Sequence, residues 1–149
     1  QRQMCIRDSD QAAREQLEAM LRRWKLTPLF LDKLPSGGMT IIEKLEKYRE
    51  DASYAVVLAT PDDQGHRAAH PDEVAHRVRQ NVVLELGMLL ALLGRSRVAI
   101  LLKAQQSMEK PSDIQGLVYI PFKERVDDAG VMLAKELTAQ GIAIELEHL

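Results

Sequence analysis

Several features that commonly announce a function are scarce or missing from this sequence. It has one cysteine, Cys5, which excludes an internal disulfide and fits a reducing, cytoplasmic location. Aromatic residues are only 4% of the chain, so its core must be built from Leu, Val, Ile and Ala. There is no basic block and the net charge is −2, which argues against nucleic-acid binding driven by phosphate neutralisation. The longest apolar runs, Val98 to Leu102 and the interrupted Val82 to Leu93, fall short of the roughly 20 residues that a membrane helix needs, and no signal peptide is visible. Neither a Gly-x-Gly-x-x-Gly fingerprint nor a Gly-x-Ser-x-Gly elbow occurs, and no Lys-Ser/Thr pair follows Ser36-Gly37-Gly38 as a P-loop requires. His66, His70 and His76 have no suitably placed cysteine beside them, and no metal site is expected.

What the chain does have is alternation. Its 149 residues, 46% hydrophobic and 28% charged, suit one domain with one core. Gln1 to Ser9 lacks a strand pattern and reads as a non-native or disordered leader, with the domain occupying residues 10–149. Asp10 is placed to cap a helix over about 11–24, with Ala13, Leu17, Met20, Leu21 and Trp24 at helical spacing. Thr27 to Leu31 reads as a short strand and Asp32 to Gly38 as a loop. Thr40, with Glu43 three residues on, makes a capping box for a helix to about Asp51, whose apolar side is Ile41, Ile42, Leu45 and Tyr48. Tyr54 to Ala59, Val98 to Leu102 and Leu117 to Phe122 are continuously apolar, as strands covered on both faces are. Gln64 to Asp72 reads as a loop, followed by a long helix to Gly94, and Ala104 to Gln115 as a second loop. A last helix spans about 126–140, ended by Gly141, and Ile142 to Leu146 is a candidate edge strand. This order predicts a parallel α/β sheet with helices on both faces.

Ligands of such sheets bind at the carboxyl ends of the strands, near the point where strand order reverses. The segments expected there carry Ser36, Gly37, Gly38, Asp62, Asp63, Asn81, Glu85 and Asp113. Glu85 stands out among them. Val78, Val82, Leu86, Leu89, Leu90 and Leu93 share a helix face; Glu85 lies on its shoulder, with Asn81 four residues back on the same side. A carboxylate at the edge of a core-facing stripe is partly desolvated and needs a partner or a task. The plainer reading is a shoulder glutamate that reaches water. Ser36-Gly37-Gly38 is either a flexible turn or a backbone contact for an anion, and Pro111-Ser112-Asp113 is most simply a turn.

Five stretches, in order, resemble one family: Thr40 to Glu46, Ala55 to Asp63, Arg79 to Gly87, Pro111 to Gly116, and the strand ending Tyr119-Ile120-Pro121. They look like the bacterial TIR-like predicted nucleotide-binding domain, the TIR effector module of cyclic-nucleotide-activated anti-phage proteins, including those fused to STING. The resemblance covers Asp10 to about Gly141. It implies the TIR fold, a flavodoxin-like three-layer arrangement around a central parallel sheet. The family opens with a strand ending in a His-Gly-Arg/His-Asp turn, of which only Asp10 is present, so the first strand reads as lost or replaced.

The resemblance also implies an NAD glycohydrolase that releases nicotinamide and ADP-ribose as a self-assembling anti-phage effector. In that reading Glu85 is catalytic and Asp113 lines the pocket, while Asn81, Asp62, Asp63 and Asp10 are further substrate-binding candidates by position. NAD is the substrate, with no cofactor or metal; the implied partners are other TIR domains and a sensor, STING-like, outside this chain. One carboxylate suffices for that chemistry. Most glycoside hydrolysis needs a second carboxyl group to protonate the leaving oxygen. Nicotinamide is already a cationic pyridinium and departs neutral, which leaves only the positive charge on the ribose to stabilise. The alternative is a module of the same fold that binds a nucleotide without hydrolysis, or acts only through TIR–TIR assembly.

Overall fold

A computed structural model of the chain describes residues 3–7, 11–30, 37–48, 50–59, 63–67, 70–77, 80–103, 108–109 and 116–145; at residues 3–7, 41, 48, 63–67, 70–77, 80–83, 85 and 108–109 the description is of the backbone. In chain order the elements are β1 (Gln3–Arg7), α1 (Gln11–Arg23), β2 (Thr27–Phe30), α2 (Ile41–Tyr48), β3 (Ala52–Ala59), β4 (Asp63–Arg67), β5 (His70–Arg77), α3 (Gln80–Leu93), β6 (Val98–Lys103), β7 (Met108–Glu109), β8 (Val118–Phe122) and α4 (Gly130–Ala139).

Five strands form one sheet in the order β2-β1-β3-β6-β8, and each neighbouring pair is parallel. Counted within that sheet the order is 2-1-3-4-5, the flavodoxin-like doubly wound arrangement. The α/β class expected from the alternation of apolar runs and amphipathic helices is the class observed.

The apolar strands divide their side chains between two layers. Tyr54, Val56 and Leu58 of β3, with Ala99 and Leu101 of β6, join a core with Leu17, Leu21 and Trp24 from the α1 segment and Leu133 and Leu137 of α4. Ala55, Val57 and Ala59, with Val98, Ile100 and Leu102, join the opposite core with Leu45 of α2 and Leu86 and Leu89 of α3. The period-2 pleat accounts for this split, and burial on both faces accounts for the continuous apolar runs. Ala55 and Ala59 are small, which leaves room for the leucines of α3 above them.

Both helices of the first layer end in the same way. Leu26 N–H donates to the Leu21 carbonyl and Lys25 N–H to that of Arg22, while Ile142 N–H donates to Leu137 and Gly141 N–H to Thr138. These are Schellman closures, each sealed by an apolar pair at the helix end. Gly141 takes φ 75°, as its sequence suggests, whereas in α1 the left-handed position is held by Lys25 at φ 61°.

Four expectations are corrected. Residues 1–9 were expected to hold no strand and the first strand to be lost or replaced; instead Gln3–Arg7 forms β1 between β2 and β3, with Gln3 opposite Thr27 and Arg7 opposite Val57. A five-residue strand with three consecutive apolar residues shows no alternation, so its signal is too short to read locally. The loop expected over 64–72 and the helix start after it are replaced by the antiparallel pair β4–β5, and α3 begins only at Gln80. Within the second expected loop, β7 pairs in parallel with β5 at His76 and Arg77. Residues 142–145 form no strand, and residue 146 lies outside the described residues.

Candidate functional site

α3 leaves β3 by way of the β4–β5 hairpin and returns through a 3-10 turn at Arg95–Arg97 to the start of β6. Its last residues therefore lie at the amino edge of the sheet and its first residues at the carboxyl edge. Fourteen residues make a helix about 21 Å long, close to the roughly 20 Å of six-residue β6, so the first turns of α3 reach the carboxyl rim. Asn81 is the second residue of α3 and Glu85 the sixth.

The rotation of α3 about its axis follows from which residues it buries. Leu86 and Leu89 are each 3% exposed, Leu90 and Leu93 are half-buried against the same core, and Leu84 is 58% exposed on the far side. At about 100° per residue, the Glu85 position falls roughly 90° round from the centre of the buried stripe, and the Asn81 position about 40° beyond Glu85. This is the shoulder position expected from the sequence.

Two other rim features are placed by the backbone. The reversal of strand order lies between β1 and β3, so the crevice of this sheet opens between their carboxyl ends, after Arg7 and Ala59. Asp63 opens β4, with Arg77 as its partner across the hairpin. β4 and β5 follow β3, and β7 follows β6. The small sheet β4-β5-β7 is thus assembled from two connections that both leave the carboxyl edge. Asp10, Asp62, Ser36 and Asp113 lie outside the described residues.

α2 borders α3 on the same layer, and Leu45 shares the core of Leu86 and Leu89. Its start carries the expected capping box: the Glu43 carboxylate accepts the Thr40 N–H at 2.6 Å and the Thr40 hydroxyl at 3.1 Å, while Glu43 N–H donates to Thr40 Oγ1 at 3.3 Å. Those bonds, the backbone one first, hold the Glu43 carboxyl below its ordinary range. Before the box, Gly37 and Gly38 take φ 48° and 80°, a turn that only glycine adopts twice in succession without strain.

The buried side of α2 differs from the one expected. Ile42 is 45% exposed, while Lys44 is only 9% exposed. Lys44 and its neighbour Leu45 are both buried, so the lysine shares the inward side of α2. Treating every apolar residue as inward and every charged one as outward missed Lys44; the spacing alone would have found it.

No helix among the described residues is long and apolar enough to cross a membrane. Among solved structures, a flavodoxin-like domain from Synechococcus sp aligns over 93% of this chain and 95% of its own, at 15% identity and TM-score 0.47. The chain is 38% identical over 119 residues to the uncharacterized protein YuaY of Escherichia coli (strain K12), covering 80% of this chain and 39% of that protein. It is 34% identical over 119 residues to Protein tirC of Dictyostelium discoideum, covering 74% of this chain and 59% of that protein. It is 32% identical over 82 residues to the Pycsar effector protein PaPycTIR of Pseudomonas aeruginosa, covering 55% and 26%. The chain thus spans less than two thirds of the length of each of these three relatives. The sequence model of the CAP12/Pycsar effector protein, TIR domain, matches residues 5–124, a span that takes in the last three residues of β1, α3 with Glu85, and β8. On the sheet order and that match together, the chain belongs to the family of CAP12/Pycsar effector TIR domains.

Proposed function

We propose that this chain is the NAD-cleaving module of a bacterial anti-phage effector, with Glu85 as its catalytic residue. The observation that carries the reading is the place of Glu85: on the shoulder of α3, in the half of the helix nearest the carboxyl rim, within a chain that matches the model of CAP12/Pycsar effector TIR domains. In the reaction, the bond between the nicotinamide nitrogen and the ribose C1′ breaks and its electron pair goes to the ring, which leaves neutral. Positive charge then develops on C1′ and its ring oxygen, where the Glu85 carboxylate stabilises it. Water adds to C1′ and loses a proton, giving ADP-ribose.

Asn81, Asp62, Asp63, Asp113 and Asp10 are assigned in this reading to holding the substrate around that carboxylate. NAD is consumed as substrate in the cytoplasm, activity rises with self-association of TIR domains, and a cyclic-nucleotide sensor outside this chain drives that association. The test is nicotinamide release by the concentrated protein beside Glu85→Gln, which keeps the shape and removes the charge. Loss of a transition-state electrostatic contact costs about 10²–10³ in turnover. A Glu85→Gln protein that is folded and turns over at the parental rate refutes the assignment.

A further inference from the structure

The substrate proposed above carries a pyrophosphate, whereas the residues assigned to its site are Glu85, Asp62, Asp63, Asp113 and Asp10, with the neutral Asn81. Carboxylates repel an anionic dinucleotide, and the repulsion grows as water is excluded, so a cation at the rim would offset it.

Two charged side chains are buried among the described residues, Arg14 and Lys44. Arg14 is on α1, with its guanidinium carbon 4.4 Å from the centre of the Phe30 ring, and α1 covers the face of the sheet opposite α3. Lys44 is on α2, which packs beside α3. Its 9% exposure means that the aliphatic stem is covered, and its ammonium has no hydrogen-bond or ion-pair partner among the described residues. Ordering a lysine stem forfeits much of its rotamer freedom, and among the described residues no ion pair offsets that loss.

Direction and distance also favour Lys44. Side chains on a helix lean toward its N-terminus. The N-terminus of α2 lies at the carboxyl edge, because the helix follows β2 and leads into the start of β3. Lys44 is next in sequence to Leu45 and Glu85 is next to Leu86, and the two leucines belong to one core cluster. Packed helices run about 8–10 Å apart, comparable with the span of one ribose and its phosphate.

We propose that the Lys44 ammonium contacts the pyrophosphate of the dinucleotide, one helix across from the glutamate that faces the ribose. This rests on the reading of the rim as an NAD site, and it divides the work: Glu85 answers the positive charge formed in the reaction and Lys44 the negative charge that the substrate brings.

The experiment is calorimetric titration of the 149-residue chain in a Glu85→Gln background with two ligands. ADP-ribose keeps the pyrophosphate; nicotinamide riboside keeps the scissile bond but has no phosphate. Lys44→Met retains the buried stem and removes the charge. The expected result is about a tenfold or greater loss of ADP-ribose affinity, unchanged affinity for nicotinamide riboside, and near-parental binding in Lys44→Arg. Should Lys44→Met not fold, Lys44→Gln is read by the same criteria. Unchanged ADP-ribose affinity, an equal loss for both ligands, or no ADP-ribose binding by the parent overturns the contact. The two readings fail separately. Lys44-dependent ADP-ribose binding without nicotinamide release when Glu85 is present refutes the glycohydrolase and keeps the contact. Nicotinamide release with the same KM in Lys44→Met does the reverse.

Discussion

Tyr54→Phe should make this protein more stable, and increasingly so as the solution becomes alkaline. Tyr54 is 0% exposed in the core under α1 and α4, and its hydroxyl has no hydrogen-bond partner among the described residues. A buried polar group left unpaired costs about 1–3 kcal/mol, and phenylalanine keeps the ring while removing it. At pH 7 we expect a gain of about 1 kcal/mol, or roughly 2–4 °C in Tm for a chain of this size. Burial, followed by the nearby charge of Glu136, pushes the phenol well above its ordinary 10.0. The sign follows from proton counting: above that value the unfolded chain releases the proton while the fold retains it, so rising pH favours unfolding. At pH 11 the gap between variant and parent should widen by a further ~1.4 kcal/mol. Urea melts of both proteins at the two pH values supply the measurement. A variant less stable than its parent at neutral pH would show that the hydroxyl has a partner. A gap that does not change with pH would refute the claim that the fold holds the phenol neutral.

Other substitutions probe the helices around the candidate site. Leu86→Ala should cost about 2–5 kcal/mol and Leu84→Ala no more than about 0.5 kcal/mol in denaturant unfolding; equal effects would overturn the rotation of α3 that puts Glu85 on its shoulder. Thr40→Ala removes one half of the capping box and should cost about 1 kcal/mol in a thermal melt, with no change if the cap is idle. Burial pushes Asp127 up, but the hydrogen bonds and charges of Arg23 and Arg125 outweigh it and hold the carboxyl below its ordinary 3.8. Its contribution is therefore present at neutral pH and lost as pH falls through the folded value. The stability gap between parent and Asp127→Asn should shrink below about pH 4, and a constant gap would exclude that linkage.

How much of this was legible depended on whether the signal was local. β3, β6 and β8 could be read from their apolar runs because burial on both faces leaves no other composition. The shoulder position of Glu85 followed from helical periodicity alone. β1 is different: nothing in Gln3-Met4-Cys5-Ile6-Arg7 distinguishes a central strand from a tail, and its place is set by partners far along the chain. β4 and β5 are polar, and a hairpin joined by backbone bonds needs no apolar alternation; Pro71 reads as a breaker but falls between the paired stretches. The end of α1 was blurred because Lys25 takes a conformation that sequence rules reserve for glycine. On α2, the burial of Lys44 is hidden by its charge and visible only in its spacing.

The central place of β1 imposes a waiting time on synthesis. β1 leaves the ribosome before either neighbour, and β3, which covers one of its edges, is complete only about fifty residues later. At about 5–20 residues per second, that interval lasts roughly 3–10 s. Until then a strand that ends up paired on both edges has an open row of N–H and C=O groups, able to pair with any other nascent chain. The amount of protein recovered from a cell is thus tied to translation speed and to chaperones that bind extended segments, through a five-residue strand remote in sequence from Glu85.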